Sequence, residues 1–148
     1  MKNVIKFYSV SCEFGEFSNF AECPITLGGK RWPTSEHYFQ AQKFADPLQR
    51  EKVRRAKTAM QAARLGRDRK VKIRREWESV KVSVMRDAVW AKLTQHDYLR
   101  ELLLMTDDSV LVEHTRHDSY WGDGGDGSGK NMLGKILMEI RGELGGRE

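Results

Sequence analysis

The segment WPTSEHYFQAQKF places three chemically capable side chains on one predicted helix. Glu36, Gln40 and Lys43 are spaced at i, i+4 and i+7, which aligns a carboxylate, an amide and an amine on one helical face. An exposed polar stripe would give the same spacing, because most amphipathic helices carry one. The segment is otherwise rich in aromatic residues and alanine, so we expect it to be buried. Buried polar groups need a structural or chemical reason.

A second polar cluster lies in a glycine-crowded segment near the C-terminus. Residues 122–129 contain five glycines and two aspartates, so the backbone can adopt positive φ and approach a ligand closely. We predict a helix directly after it, whose first N–H groups would be free to bind an anion. A surface loop or a calcium-type loop has a similar composition. We interpret the segment as a phosphate or ribose cradle, with these candidate residues: Trp121, Gly122, Asp123, Lys130 and Asn131.

If the fold brings the clusters together, their side chains suit cleavage of an N-glycosidic bond. The transition state resembles an oxocarbenium ion, which a carboxylate stabilises, and a carboxylate can also activate water. Glu36 and Asp123 are the candidate catalytic carboxylates, and the ring of Trp121 can stack on the leaving base. Lys43 offers a second route, in which a desolvated amine attacks the anomeric carbon and forms a Schiff base with the opened sugar.

Local signals predict the elements that must position these residues. A Gly28-Gly29 pair between two strand-like segments predicts a tight hairpin, and Thr34 or Ser35 is the N-cap of the helix that carries Glu36. The remaining patterns predict strands at residues 5–10 and 109–114 and helices at residues 48–56, 59–65, 73–93 and 97–105.

Length and composition set the outer limits. A chain of 148 residues predicts a single domain, residues 1–148, with one sizeable core. No apolar run approaches the roughly 20 residues of a membrane span, and the N-terminal residues lack the pattern of an export signal. With only two cysteines, Cys12 and Cys23, no disulfide framework is indicated. We therefore expect a cytoplasmic protein with no membrane partner.

The net charge of +5 is unevenly distributed. Residues 50–75 contain twelve lysines and arginines against two acids, a net +10, which leaves −5 for the rest of the chain. Such a segment can attract the phosphates of a nucleotide or of DNA. A pair of solvated helices explains it equally well, because no aromatic residues are interleaved in the way that stacks single-stranded bases.

Several familiar site patterns are absent from the sequence. There is no nucleophile elbow GxSxG, no phosphate loop GxxxxGK[ST] and no GxGxxG after a strand, and we expect no cofactor. A metal site is not predicted, because His114 and His117 lack cysteine partners and helical i, i+4 spacing; we interpret both as structural or solvent-facing. Asn19 could offer its amide to a base or sugar, although a turn-forming asparagine is equally consistent with its position.

Five motifs resemble those of the YbiA-like, or NADAR, family. They are FSNF (17–20), WPTSEHYFQAQKF (32–44), LGRD (65–68), LVEHT (111–115) and YWGDGGDGSGKNMLG (120–134). They cover nearly the whole chain in order. The resemblance implies an α+β, predominantly helical fold and an N-glycosidase activity on ribosylamine-type compounds. It places the active residues at Glu36, Lys43, Trp121, Asp123 and Asn131, and the LGRD motif adds Arg67 as a substrate-binding candidate.

Three hypotheses follow from the motifs and the resemblance. The first is an N-glycosidase that hydrolyses phosphoribosylaminopyrimidine intermediates of riboflavin biosynthesis. The second keeps the chemistry but acts on ADP-ribosylated guanine in DNA, a partner that is possible but less favoured. The third is a non-catalytic module that binds NAD or ADP-ribose.

Overall fold

Residues 2–146, the part of the chain that the computed structural model describes, contain six α-helices, four short β-strands and one 3-10 helix, Gly15–Phe17. This confirms the predicted α+β, predominantly helical class. Two compact units are present: Asn19–Gln95 forms one, and the segments before Asn19 and after Gln95 form the other. The single domain boundary at residues 1–148 stays a prediction.

The strands have three or four residues, and two of the α-helices, of 14 and 19 residues, are longer than the rest. In chain order they are β1 (Val4–Phe7), β2 (Ile25–Leu27), β3 (Lys30–Trp32), α1 (Ser35–Ala41), α2 (Pro47–Arg54), α3 (Ala59–Gly66), α4 (Trp77–Gln95), α5 (Asp97–Met105), β4 (Val110–Glu113) and α6 (Met132–Gly145).

The hairpin of the unit Asn19–Gln95 forms as predicted. Strands β2 and β3 pair antiparallel, with Ile25 opposite Trp32 and Leu27 opposite Lys30. The two residues between them, Gly28 and Gly29, have φ of 64° and 78°. Two successive positive φ values define the turn that matches the twist of paired strands, and glycine adopts them without steric cost.

Helix α1 begins where its cap predicts. The Thr34 side chain accepts a hydrogen bond from the backbone N–H of His37, which satisfies one of the free donors of the first turn. Apart from the half-buried Tyr38, every residue of α1 is buried, as expected from its aromatic and alanine content. Helix α1 packs against α2, α3 and α4 around a core that includes Ile25, Trp32, Phe44 and Val53.

Helix α4 starts four residues later than predicted, at Trp77 rather than at residue 73. The preceding residues are committed to other bonds: the Arg74 N–H donates to the Lys43 carbonyl at 2.8 Å, and the Arg74 guanidinium donates to the Gln42 carbonyl at 3.3 Å. The buried residues of α4 include Trp77, Ala88 and Ala91. The loop before α4 is thereby fixed to the end of α1.

The other unit is organised by a two-stranded parallel sheet. Strand β1 pairs with β4 in the register Val4 to Val110 and Phe7 to Glu113. Strand β1 ends earlier than the predicted residue 10, because the chain turns with a hydrogen bond from the Cys12 N–H to the Ser9 carbonyl. Helix α6 packs on β4 and on α5, which places the glycine segment between β4 and α6 in the chain.

Candidate functional site

Glu36 occupies the first turn of α1 and is only 7% exposed. Its backbone N–H donates to the Asn19 carbonyl at 3.2 Å, so the start of the helix is fixed to Asn19. Its carboxylate oxygen Oε2 accepts a hydrogen bond from Nε2 of Gln40, one helical turn away, at 2.7 Å. A buried carboxylate held in this way is pre-oriented for chemistry.

Gln40 is also buried, at 5% exposure. Its Nε2 atom donates to Glu36, while its Oε1 atom has no hydrogen-bond partner among the described residues. That oxygen lies against the backbone of Gly66, where a Cβ atom would overlap it. Unpartnered buried acceptors are uncommon in folded proteins and call for an explanation.

Lys43 lies beyond the end of α1 rather than on its face. The helix ends at Ala41, and the chain turns as the Lys43 N–H donates to the Gln40 carbonyl. The prediction of an i+7 position on a continuous helix is therefore wrong. The Lys43 amine nevertheless stays in the same region: its Nζ atom donates to the Gly66 carbonyl at 3.4 Å and lies 5.9 Å from the centre of the Phe39 ring.

The environment of Lys43 lowers the pKa of its amine from the ordinary 10.5. Burial is the largest cause, because it disfavours the charged form. The charge of Glu36 acts in the opposite direction, and the positive charges of Arg67 and Lys81 lower the pKa further. A lysine whose pKa is lowered in this way is a better nucleophile near neutral pH than a free one.

The other predicted residues of this unit differ in exposure. Asn19 is buried: its Oδ1 accepts from the Ser35 hydroxyl at 2.8 Å, and its Nδ2 donates to the Met85 sulfur at 3.2 Å. Because both polar atoms of its amide have partners, Asn19 supports the start of α1. Arg67 caps the end of α3 and is exposed to solvent.

In the other unit, Asp123 is held by three hydrogen bonds. Its Oδ1 accepts from the backbone N–H groups of Thr115 at 3.1 Å and Gly125 at 2.8 Å, and its Oδ2 pairs with Nδ1 of His114 at 2.8 Å. Burial by itself would raise the pKa of Asp123. The hydrogen bonds from His114, Gly125 and Thr115 outweigh it, so the pKa of this carboxyl is lowered from 3.8.

His114 is the residue that sequence reasoning undervalued. It follows β4 directly, its side chain is about one-third exposed, and its ring meets the edge of Tyr8 at a centroid distance of 6.1 Å. With Asp123 it lines a cavity of about 360 Å³, together with Lys6 and Asn131. Its position at the end of a strand that leads toward the glycine segment was the available signal.

Asn131 binds strand β4 through both ends of its side-chain amide. Its Oδ1 accepts from the Glu113 N–H and its Nδ2 donates to the Leu111 carbonyl, each at 2.9 Å. Its φ is 52°, a left-handed conformation that asparagine tolerates better than most residues. The amide thus substitutes for a neighbouring strand and fixes the start of α6.

The first N–H groups of α6 are not free, contrary to the predicted anion cradle. The N–H of Met132 donates to the Tyr120 carbonyl and that of Leu133 to the Trp121 carbonyl, each at 3.0 Å. The two residues that precede the glycine segment therefore satisfy these donors. The expectation of an anion held by these two groups is therefore wrong.

The remaining predicted residues shape the segment before α6. The Trp121 ring is half-buried and meets Tyr120 edge to face at 4.9 Å. Gly122 is required by space, since a Cβ there would lie 2.7 Å from the Thr115 methyl group. Lys130 is exposed, with its Nζ 5.5 Å from the centre of the Tyr120 ring.

The predicted residues thus form two groups, and the members of each group lie within one unit. The first contains Glu36, Gln40 and Lys43. The second contains Trp121, Gly122, Asp123, Lys130 and Asn131. The prediction that both serve one pocket stays a prediction.

The fold and these motifs define a NADAR-domain protein. The sequence pattern described as the NADAR domain matches residues 6–145, and the chain belongs to this family, which confirms the resemblance found from the motifs.

Among its relatives, the chain is 60% identical to N-glycosidase YbiA of Escherichia coli over 141 residues, which cover 95% of this chain and 88% of that protein. It is 43% identical to an N-glycosidase of Nostoc punctiforme, covering 95% and 92% of the two chains. It is 48% identical to a riboflavin biosynthesis protein of Vibrio vulnificus, covering 97% of this chain but 39% of that protein.

A solved structure agrees with these sequence relationships. The NMR structure of the Escherichia coli protein YbiA superposes with a TM-score of 0.91 at 58% identity, covering 98% of this chain and 87% of that one. No helix within residues 2–146 is long and apolar enough to cross a membrane. A cytoplasmic location stays a prediction.

Proposed function

We propose that this protein is an N-glycosidase that hydrolyses phosphoribosylaminopyrimidine intermediates of riboflavin biosynthesis. Its relatives in Escherichia coli and Nostoc punctiforme are named N-glycosidases, and those in Vibrio vulnificus and Zea mays are named riboflavin biosynthesis proteins. The enzyme class is a hydrolase acting on N-glycosyl compounds. The choice of a phosphoribosylaminopyrimidine as the substrate is the more specific part of the proposal.

The observation that carries the proposal is the buried Glu36–Gln40 pair beside the amine of Lys43. The Glu36 carboxylate is 7% exposed and hydrogen-bonded at 2.7 Å, and its charge acts on the pKa of Lys43. A fixed carboxylate in a site shielded from water stabilises a developing positive charge more strongly than it would in bulk solvent. Positive charge develops at the anomeric carbon when an N-glycosidic bond breaks.

In the direct route, Glu36 stabilises the oxocarbenium-like sugar while the C–N bond to the pyrimidine breaks. The leaving nitrogen takes up a proton, and water adds its oxygen to the anomeric carbon and loses a proton to the carboxylate. The products are the free aminopyrimidine and ribose 5-phosphate. Water is the only co-substrate that this reaction requires.

In the imine route, the neutral amine of Lys43 attacks the anomeric carbon. The C–N bond to the pyrimidine breaks, and the leaving nitrogen takes one proton from the amine. The ring C–O bond at the anomeric carbon then opens, its oxygen takes the second proton of the amine, and the open-chain sugar remains bound as a Schiff base. Water then hydrolyses the imine and restores the lysine. The lowered pKa of Lys43 supports this route, and both routes use Glu36.

The other predicted residues are assigned to binding or positioning within their own units. Arg67, in the unit of Glu36, exposes a cationic side chain that can bind a phosphate, whereas stacking on Trp121 and phosphate binding by Lys130 in the other unit stay predictions. Asp123, predicted to be catalytic, is assigned a positioning role here, because its oxygens already accept three hydrogen bonds. Asn131 is also assigned a positioning role, because its side-chain amide is hydrogen-bonded to β4.

The direct test is to incubate the purified protein with the aminopyrimidine ribosylamine phosphate and to measure release of ribose 5-phosphate. We expect catalytic turnover in the unaltered protein and loss of turnover in Glu36→Gln, which keeps the size of the side chain and a hydrogen-bonding partner for Gln40. Tight binding without release by the unaltered protein would instead favour the non-catalytic module.

A second candidate is removal of ADP-ribose from guanine in DNA, favoured by one surface feature. Six basic side chains between residues 64 and 75 are exposed: Arg64, Arg67, Arg69, Lys70, Lys72 and Arg75. Contacts with several phosphates make binding to a duplex fall steeply with salt concentration. Activity on ADP-ribosylated duplex that drops steeply with added salt, without activity on the pyrimidine substrate, would favour this candidate.

A further inference from the structure

Gly66, the last residue of helix α3, is a glycine that the backbone conformation does not require. It is buried, it belongs to the helix, and it is absent from the described glycines with positive φ. Glycine is a poor helix former, and an alanine would be favoured here by propensity alone. The reason for glycine must therefore lie in its surroundings.

The space beside Gly66 is occupied by the Gln40 side chain. A Cβ atom at residue 66 would overlap Oε1 of Gln40 and lie 2.7 Å from its Cδ and 3.0 Å from its Cβ. Such distances are well inside van der Waals contact, and Gln40 is 5% exposed, so its side chain has little room to move aside. Any side chain at residue 66 would displace the amide of Gln40.

The position of that amide determines how Glu36 is held. Nε2 of Gln40 donates to Oε2 of Glu36 at 2.7 Å. The opposite orientation of the amide would bring its oxygen against the carboxylate, acceptor to acceptor. The present orientation leaves Oε1 without a partner among the described residues, and we attribute this unpaired acceptor to the need to keep the donor on Glu36.

Gly66 also contacts the second candidate catalytic side chain directly. Its carbonyl accepts a hydrogen bond from Nζ of Lys43 at 3.4 Å. One backbone unit therefore makes room for the group that orients Glu36 and supplies an acceptor for the amine of Lys43. The two contacts involve different atoms of the residue, its Cα and its carbonyl oxygen.

We propose that Gly66 is a positioning residue for the glycosidase reaction, which acts on Glu36 through Gln40 and on Lys43 through its own carbonyl. This inference rests on the proposed function, since it concerns the orientation of the groups assigned to that reaction. It explains why α3 ends with glycine although its backbone is helical.

The test is a double-mutant cycle on Gly66→Ala and Gln40→Ala. We expect Gly66→Ala to lower kcat by about tenfold or more while KM changes by less than about threefold, the pattern of lost transition-state positioning. Because the effect passes through Gln40, adding Gly66→Ala to Gln40→Ala should lower kcat little further. Independent, multiplicative effects of the two substitutions on kcat would overturn the proposal.

A matched control and a pH profile separate positioning from general damage. Gly142 lies in α6, where an added Cβ atom would meet open space, and the proposed reaction assigns it no role. Gly142→Ala should therefore leave kcat unchanged. In Gly66→Ala the acid limb of the kcat/KM profile should move to higher pH, because a carboxylate that loses a donor is protonated more readily. An unmoved limb would contradict the proposal.

Two further measurements keep the result decisive. If Gly66→Ala folds poorly, the double variant with Gln40→Ala removes the two closest overlaps, those with Oε1 and Cδ of Gln40, and is compared with Gln40→Ala alone. The side-chain amide resonances of Gln40 in a ¹⁵N NMR spectrum should shift in Gly66→Ala and stay in place in Gly142→Ala, whether or not any substrate is turned over. Unmoved resonances refute the positioning role, whereas an inactive unaltered protein refutes the proposed function.

Discussion

The amide nitrogen of Gln40 lies 2.7 Å from a carboxylate oxygen of Glu36, one helical turn away, and both side chains are buried. The spacing i, i+4 makes this contact possible on any helix. Burial against α3, and the glycine that ends α3, make it specific, because they leave the Gln40 amide one orientation. A donor fixed on a buried carboxylate is an arrangement that enzymes use to orient a charged catalytic group.

Glu36→Gln should remove turnover without unfolding the protein. We expect kcat to fall by about 100-fold or more, the usual size of a lost acid–base or charge-stabilising group. The substitution preserves side-chain volume, so the thermal melting temperature should stay close to that of the unaltered protein. A variant that keeps most of its turnover would show that the carboxylate is not involved.

Lys43 should form a trappable adduct whose yield rises with pH. Since burial lowers the pKa of Lys43 from 10.5, the reactive neutral amine appears at lower pH than in a free lysine. Borohydride reduction during turnover, followed by mass spectrometry, should give half-maximal trapping below pH 10.5. The adduct should be absent in Lys43→Ala, and its absence from the active unaltered protein would leave the direct water route.

Two substitutions near Lys43 should move that midpoint in opposite directions. The charge of Glu36 raises the pKa of Lys43, so Glu36→Gln should lower the midpoint of amine modification. The charge of Arg67 lowers it, so Arg67→Ala should raise the midpoint. The rate of modification of Lys43 by a small acylating reagent, measured against pH in each variant, checks both signs without requiring substrate.

Asp123→Asn should lower the stability of the protein as well as its activity. The carboxylate accepts bonds from His114, Thr115 and Gly125, and we expect the free energy of unfolding in urea to fall by about 1–3 kcal/mol, as for other hydrogen bonds to charged groups. Unchanged stability together with lost activity would restore Asp123 to the catalytic role predicted from the sequence.

The effect of Asp123 on stability should depend on pH in a defined sense. Its folded pKa is lowered from 3.8, so the ionised carboxylate stabilises the fold fully above 3.8, and this contribution is lost as the pH falls through the folded value. The difference in unfolding free energy between the unaltered protein and Asp123→Asn should therefore shrink below pH 3.8. A constant difference down to strongly acidic pH would contradict this account.

Two substitutions of Asn131 should separate the contributions of its backbone conformation and of its side-chain hydrogen bonds to stability. Asn131→Ala loses the two bonds to β4 and also places alanine at a φ of 52°, so we expect a loss of about 2–4 kcal/mol in unfolding free energy. Asn131→Gly keeps the left-handed conformation and should lose about 1–2 kcal/mol less than Asn131→Ala does. Equal stability of the two variants would show that only the amide bonds contribute.

Patterns of neighbouring residues were sufficient to predict most elements, and together with the family resemblance they gave the fold class. The Gly28-Gly29 turn, the Thr34 cap and the helix Asp97–Met105 depend on interactions within a few residues, and such interactions are visible in the sequence. The motifs likewise identified the NADAR family, which the comparison with known proteins confirms.

The sequence by itself determined which residue types are available for the chemistry: a carboxylate, an amide and an amine near α1, and a glycine segment before α6. Only the tertiary structure decided their environments. It ended α1 before Lys43, placed Gly66 against Gln40, gave the first donors of α6 to the preceding loop, and paired Asp123 with His114. Burial, steric room and hydrogen-bond partners arise from residues distant in sequence, and they set the pKa of Lys43 and the orientation of Glu36.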